Sequence, residues 1–293
     1  IEIPNTDFDL TPCQGYAWRS SSKGSFTFSG TPYNGDQSIS GLTTSDIYGW
    51  NLLGNPYPSS LDWSTLVEAY GAVYTYVQAS DDLDDYTWRS WNGTGTNGGV
   101  QNIPPMQGFF IAADGNTSFS VTNASRTHNG ASGFVKSEIV LNNYIKLKAH
   151  SQNKSDEIYI QLGEQYQNNF ELAHDAWKFG VESAEKLSLY TICDDGKLSI
   201  DRRPECETIQ LGFKNNVNSA IIEIVETANL MNIELEDTKL NTFHDLTQGA
   251  YNFNWETTDS DERFLLHLKA TGVFDKINNR AQVYAAHGQL VVR

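Results

Sequence analysis

The chain has 293 residues, with 20 Lys and Arg against 36 Asp and Glu, a net charge of −16 at pH 7. That balance lacks the clustered positive charge that duplex nucleic acid or an anionic membrane surface requires, so neither is expected as a partner. Hydrophobic residues make up 39% and aromatic residues 12% of the chain. This is too much apolar surface for a disordered acidic tail, and the length suits about two domains.

Apolar and polar residues alternate with period two along most of the chain, the pattern of strands with one buried face. The first such run is SFTFS from Ser25. In GWNLLGNPYPSSLDW, from Gly49 to Trp63, glycine, asparagine and proline force tight turns, and Trp50, Leu52, Leu53 and Trp63 supply an apolar body. The segment reads as a packed corner joining two sheets; the alternative is a Tyr57/Trp63 platform for sugar stacking. Asp62 can cap the amides of Trp63, Ser64 and Thr65, predicting a short helix with Leu66, Val67 and Tyr70 on one face.

Four carboxylates then fall within five residues, Asp81, Asp82, Asp84 and Asp85. They form either a solvated acidic loop or a site for calcium, whose loose oxygen coordination suits such a loop. Tyr86, Trp88 and Trp91 follow at once, with Tyr86 and Trp88 on one strand face. These rings either fill the core or offer a flat surface to pyranose rings, with Arg89 and Asn92 adding hydroxyl contacts.

From Thr127 to Glu138 small and polar residues break the alternation. A domain boundary is expected there, giving a first sandwich over 1–130 and a second over 131–274. The second half carries regular runs at YIKLKA from Tyr144, EIYIQL from Glu157, ETIQLGF from Glu207, AIIEIV from Ala220, NIELE from Asn232, AYNFNW from Ala250 and RFLLHL from Arg263. Short strands at short intervals, separated by Asn, Asp, Gly and Ser, predict an all-β fold of antiparallel Ig-like or jelly-roll-like sandwiches or barrels. Residues 275–293 form a third segment, too short to bury a core alone.

GxSxG, HExxH, the Walker loop and GxGxxG are all missing, so no enzyme class announces itself and a non-catalytic module is expected. The three cysteines, Cys13, Cys193 and Cys206, contain no CxxC pair. Cys193 and Cys206 bracket a turn-rich loop and could form a disulfide in an oxidising compartment. Four Asn-x-Ser/Thr sequons, at Asn92, Asn116, Asn123 and Asn153, mark polar loops. Apolar runs such as GFFIAA from Gly108 fall far short of the roughly 18 residues of a membrane span. The start, Ile1-Glu2-Ile3-Pro4, has neither an initiator Met nor a signal-peptide pattern and reads as a processed or excised piece.

GWNLLGNPYPSSLDW, flanked by GYAW from Gly15, FSGTPYNGDQSISGL from Phe28 and IPPMQGFFIAA from Ile103, resembles a module of large surface proteins exported by the type IX secretion system of Gram-negative bacteria. DEIYIQLGEQYQNNFELAHDAWKF from Asp156, DGKLSIDRRP from Asp195, IQLGFK from Ile209 and DERFLLHL from Asp261 are similar to the sandwich that precedes the sorting domain of such proteins. QVYAAHGQLVV from Gln282 resembles the first strand of that sorting domain, truncated. The family pattern does not require Cys193 and Cys206, so their pairing stays open.

The resemblance implies an extracellular, cell-surface location and contact with the secretion machinery through the sorting domain. The expected role is structural or adhesive, with glycan or a surface protein bound through the first domain and self-assembly through sheet edges. The alternative is an accessory carbohydrate-binding module of a secreted polysaccharide-degrading enzyme.

Overall fold

A computed structural model describes residues 9–17, 29–44, 49–78, 86–128, 143–180, 186–216, 218–270, 283–286 and 289–292. Its regular elements are almost all strands, as the alternation predicts. The SFTFS run and Asp81, Asp82, Asp84 and Asp85 lie outside the described residues.

The first half builds three small sheets. Five strands run in the order Trp50–Gly54, Gly108–Ala112, Val73–Gln78, Tyr86–Trp91 and Gly95–Thr96. Ser60–Asp62 sits between Arg126–Thr127 and Asn102–Ile103, and Gln37–Ser40 pairs with Ser118–Val121. The GWNLLGNPYPSSLDW segment is the corner expected: Trp50–Gly54 lies in the five-stranded sheet and Ser60–Asp62 in the three-stranded one. Between them Asn55 accepts the Tyr57 amide (3.0 Å) and donates to the Ser59 carbonyl (2.9 Å), closing the turn. Tyr57 and Trp63 are fully buried, so the platform alternative is excluded. The Tyr57 hydroxyl donates to the Gly35 carbonyl (2.7 Å) and the Trp63 indole to that of Gly71 (2.8 Å). Asp62 accepts the Ser64 amide at the head of a 3₁₀ turn, Trp63–Thr65, which runs on into the helix Val67–Tyr70 with Leu66 and Tyr70 buried.

The second half is one continuous eleven-stranded sheet. It begins at the edge strand Thr242–Asp245 and ends at the edge strand Tyr251–Asn254. The sheet curls about a single core that includes Ile145, Leu147, Ile158, Leu211, Phe213, Ile222, Leu235, Phe253 and Phe264. Every second-half run picked out by alternation is a strand here. Both faces of Lys154–Leu162 are buried towards its C-terminal end, because its outer face meets the first half. Lys154–Leu162 pairs in parallel with Gly196–Arg203 within this otherwise antiparallel sheet. The long excursion between them supplies the crossover that a parallel pair needs. Val283–Ala286 and Gln289–Val292 form a separate hairpin.

All three cysteines are free. Cys193 packs with the aromatic cluster between the halves and Cys206 against the core of the large sheet, with Arg203 acting electrostatically on both. Burial pushes both thiols above the ordinary cysteine range, which keeps them protonated and unreactive at neutral pH.

Candidate functional site

The aromatic run after the acidic segment lies on the strand Tyr86–Trp91, paired with Val73–Gln78 so that Tyr76 faces Trp88 and Gln78 faces Tyr86. Side chains on a strand alternate between faces, and this divides the expected ligand-binding set. Tyr86 and Trp88 share a face with Tyr76. The rings of Tyr76 and Tyr86 are 5.9 Å apart at 71°, and those of Tyr76 and Trp88 are 5.5 Å apart at 61°. Tyr76 is 47% exposed, and Tyr86 is part-exposed beside it. Lys186 donates to the Tyr86 carbonyl (2.9 Å) and places its ammonium over the Tyr86 ring. The outer end of the hairpin is thus an aromatic shelf in which Tyr76 is the more open ring and Lys186 covers one face of Tyr86.

Trp88 is the inner end of that shelf and is held from behind. Its ring meets Phe179 at 3.9 Å and Phe110 at 5.3 Å, in a cluster shared with Trp50, Tyr74, Trp177 and Ile200. Gly180 permits this approach, and Gly71 a second close approach between the halves, at Leu172. At Gly180, φ is +78°, and a Cβ would stand 2.9 Å from the Trp88 Nε1; at Gly71, φ is +66°, and a Cβ would stand 2.8 Å from the Leu172 carbonyl oxygen. Both positions need a left-handed backbone and have no room for a side chain.

Trp91, Asn92 and Arg89 do not join the shelf. Trp91 is buried in the core of the first half. Arg89 lies over Gly98, with its Nε buried and without a partner among the described residues. Asn92 is 1% exposed and fastens the two halves together. Its amide donates to the carbonyls of Asp175 (2.7 Å) and Leu172 (3.2 Å), while its own carbonyl accepts from the Arg202 Nη2 (2.8 Å).

Other ties cross the same seam. Ser90 and Ser199 share a hydroxyl contact at 2.9 Å, and the Tyr74 hydroxyl accepts the Trp177 amide at 2.7 Å. Asn97, held at φ +54°, donates its amide N–H to Glu157 (2.8 Å) and its side chain to Asp156 (2.8 Å). Asp156 also accepts from Lys178 (2.6 Å) and from the Leu189 amide (2.7 Å). Asn92→Ala is expected to cost about 1–3 kcal/mol in chemical unfolding, because the carbonyls of Asp175 and Leu172 would lose the side-chain amide that pairs with them, while the main-chain bond to Arg202 remains. If Asn92 were instead a ligand contact, the unfolding midpoint would not move.

Beneath Asn92 the Asp175 carboxyl accepts the amides of Glu171 (2.8 Å) and Arg202 (2.7 Å). Burial raises it to about 7, assisted by Asp201 and opposed by those two amides and by Arg202. Of the seam residues, Asp156, Asp175, Trp177 and Lys178 fall in DEIYIQLGEQYQNNFELAHDAWKF, and Ser199 and Arg202 in DGKLSIDRRP. Alternation does not single them out. The missed shelf residue is Tyr76, whose signal is the alternating VYTYVQ from Val73.

Among the described residues, no group of three or more His, Cys, Asp or Glu is arranged to hold a metal ion, and no helix is long and apolar enough to cross a membrane. The chain matches the family described as "Domain of unknown function (DUF8693)" over residues 3–268. Comparison with curated proteins and with solved structures returned no match.

Proposed function

The chain belongs to the DUF8693 family, and we propose that it is a non-catalytic module of an extracellular bacterial cell-surface protein that binds carbohydrate through the Tyr76–Tyr86 shelf. The observation that carries this reading is the 47% exposure of Tyr76 beside Tyr86, two large rings at the end of the hairpin where Gln78 faces Tyr86. Sugars present flat C–H faces to such rings, and hydroxyls to the polar groups around them. Gln78, exposed beside Tyr86, and the Lys186 ammonium over the Tyr86 ring are such polar groups.

The shelf is also pre-organised. Trp88 is wedged between the halves, so the strand that carries Tyr86 is fixed before a ligand arrives, and little ordering entropy is lost on binding. The resemblance to exported surface proteins and the strongly acidic composition agree with a module that works outside the cell. Calcium bound by Asp81, Asp82, Asp84 and Asp85, at the tip of the same hairpin in sequence, would belong to this reading.

A glycan array probed with the parent chain and with Tyr76→Ala tests it. The expected result is a set of hits whose affinity falls at least roughly tenfold in the variant, a loss of about 1.4 kcal/mol in binding. As a change at an exposed ring, the substitution should move stability by no more than about 0.5 kcal/mol. An array without hits, or hits indifferent to Tyr76→Ala, would overturn the assignment.

A further inference from the structure

The strand Tyr251–Asn254 is the last of the eleven-stranded sheet and pairs on one side only, with Ser219–Ala228. Its hydrogen-bond parity can be read directly. The Trp255 amide donates to the Asn218 carbonyl (2.9 Å), and these two residues continue the register in which Ser219 faces Asn254. Bonded and non-bonded pairs alternate along an antiparallel ladder. Phe253 and Tyr251 therefore bond to the neighbouring strand, whereas Asn252 and Asn254 turn their backbone groups the other way.

Two contacts agree with this parity. The Ser219 carbonyl, opposite Asn254, accepts from Ser151 on the far side (2.5 Å), and the Asn254 carbonyl accepts from Arg263 Nη1 (2.7 Å). The Asn252 N–H and C=O and the Asn254 N–H are left without a partner among the described residues. A cavity of about 570 Å³ runs along this strand, bounded across from it by Lys239, Leu240 and Arg263. Leu240 is 54% exposed there.

Proteins usually defend such an edge with a charge, a proline or a bulge. The opposite edge strand, Thr242–Asp245, ends on a carboxylate, and the stretch of Ser219–Ala228 that Tyr251–Asn254 leaves uncovered carries a bulge at Val225, opposite Lys146/Leu147. The segment YNFN carries no charge, proline or bulge of its own; Arg263 covers the outward Asn254 carbonyl, and the Asn252 N–H and C=O stay uncovered. We propose that this edge accepts an extended, basic peptide segment of a partner protein as an added strand.

Charge selects the partner. Asp237, Asp259 and Glu256 surround the cavity's two cations, Lys239 and Arg263, and take up both. Glu223 stands 3.4 Å from His150, which lines the cavity. A second copy would bring another net charge of −16 to the edge, whereas a lysine-rich strand is drawn to it. Added strands gain affinity from main-chain bonds and specificity from alternate side chains.

The probe is a fluorescent (Thr-Lys)4 peptide titrated into the full chain and read by anisotropy, with (Thr-Glu)4 as control. Saturable binding of the first and none of the second is expected. Asn252→Pro removes only an outward N–H, which an edge strand tolerates. It should weaken binding roughly tenfold or more, while Asn252→Ala binds like the parent. A (Thr-Lys)4 peptide methylated at alternate amides should fail to bind the unaltered chain, a readout independent of how Asn252→Pro folds. Equal binding of both peptides, or indifference to backbone methylation, would overturn the proposal. So would self-association without peptide that Asn252→Pro abolishes, since the occupant would then be a second copy.

Discussion

Arg263→Ala is expected to lower the stability of the large sheet by about 3–5 kcal/mol, the cost of stranding one member of a buried ion pair. Arg263 is 2% exposed and Asp237 fully buried. The guanidinium grips Asp237 through both Nε (2.8 Å) and Nη2, and its Nη1 reaches the Asn254 carbonyl (2.7 Å) and Asp259 (2.9 Å). Tyr251 donates to Asp237 at 2.8 Å, so one carboxylate on the strand next to one edge of the curled sheet holds the strand at its other edge. Arg263→Lys should recover little, because an ammonium cannot match the two-pronged geometry. Burial works to raise the Asp237 carboxyl, but the bonds from Arg263 and Tyr251 outweigh it and leave it below the ordinary carboxylate range. Its contribution is therefore complete above about pH 4 and is lost as pH falls through the depressed folded value. Urea unfolding of parent and variant at neutral pH measures the effect. A loss below about 1 kcal/mol would mean that water replaces the guanidinium and that the pair is not buried in solution.

Strands were the most legible feature of the sequence, because each second-half run has one face towards a common core and so shows period two. YIKLKA is the clearest example: Ile145, Leu147 and Ala149 are buried and the residues between them are not. The corner from Gly49 to Trp63 was legible for another reason, since Asn55, Pro56 and Pro58 dictate local backbone geometry whatever packs on it. The curling of the second-half strands into one sheet was not legible. It depends on which strands become neighbours, and the pairing of Lys154–Leu162 with Gly196–Arg203 joins segments some forty residues apart.

The candidate site was half legible. Alternation placed Tyr86 and Trp88 together, and the rings do meet at 6.1 Å. It could not show that Trp88 is pinned by Phe179, or that Asn92 faces Asp175, because both partners come from the other half. A residue at a seam looks like a surface residue in its own segment. Asn97, Ser199 and Arg202 are polar positions on or beside strands, and only the docking of the two halves buries their side chains or gives them partners.

Asp175 turns that seam into a pH-dependent joint. The carboxyl is 1% exposed and holds the turn from Glu171 on which Asn92 docks, yet burial raises it to about 7 against an ordinary value of 3.8. A raised carboxyl binds its proton more tightly in the folded chain than in the unfolded one. Its contribution to stability is therefore complete below about pH 4 and disappears as pH rises through about 7. The difference of roughly three units corresponds to about 4 kcal/mol. Asp237 and Asp259 are shifted downwards and act only below this window, and the tyrosine and cysteine shifts lie above it. Unfolding free energies measured from pH 4 to 8 should thus fall for the parent relative to Asp175→Asn, which carries no titrating proton. The two curves should run parallel above pH 8 and below pH 4. Parallel curves throughout would mean that water reaches the carboxyl and that the two halves are less tightly joined at Asn92 than the hydrogen bonds across the seam require.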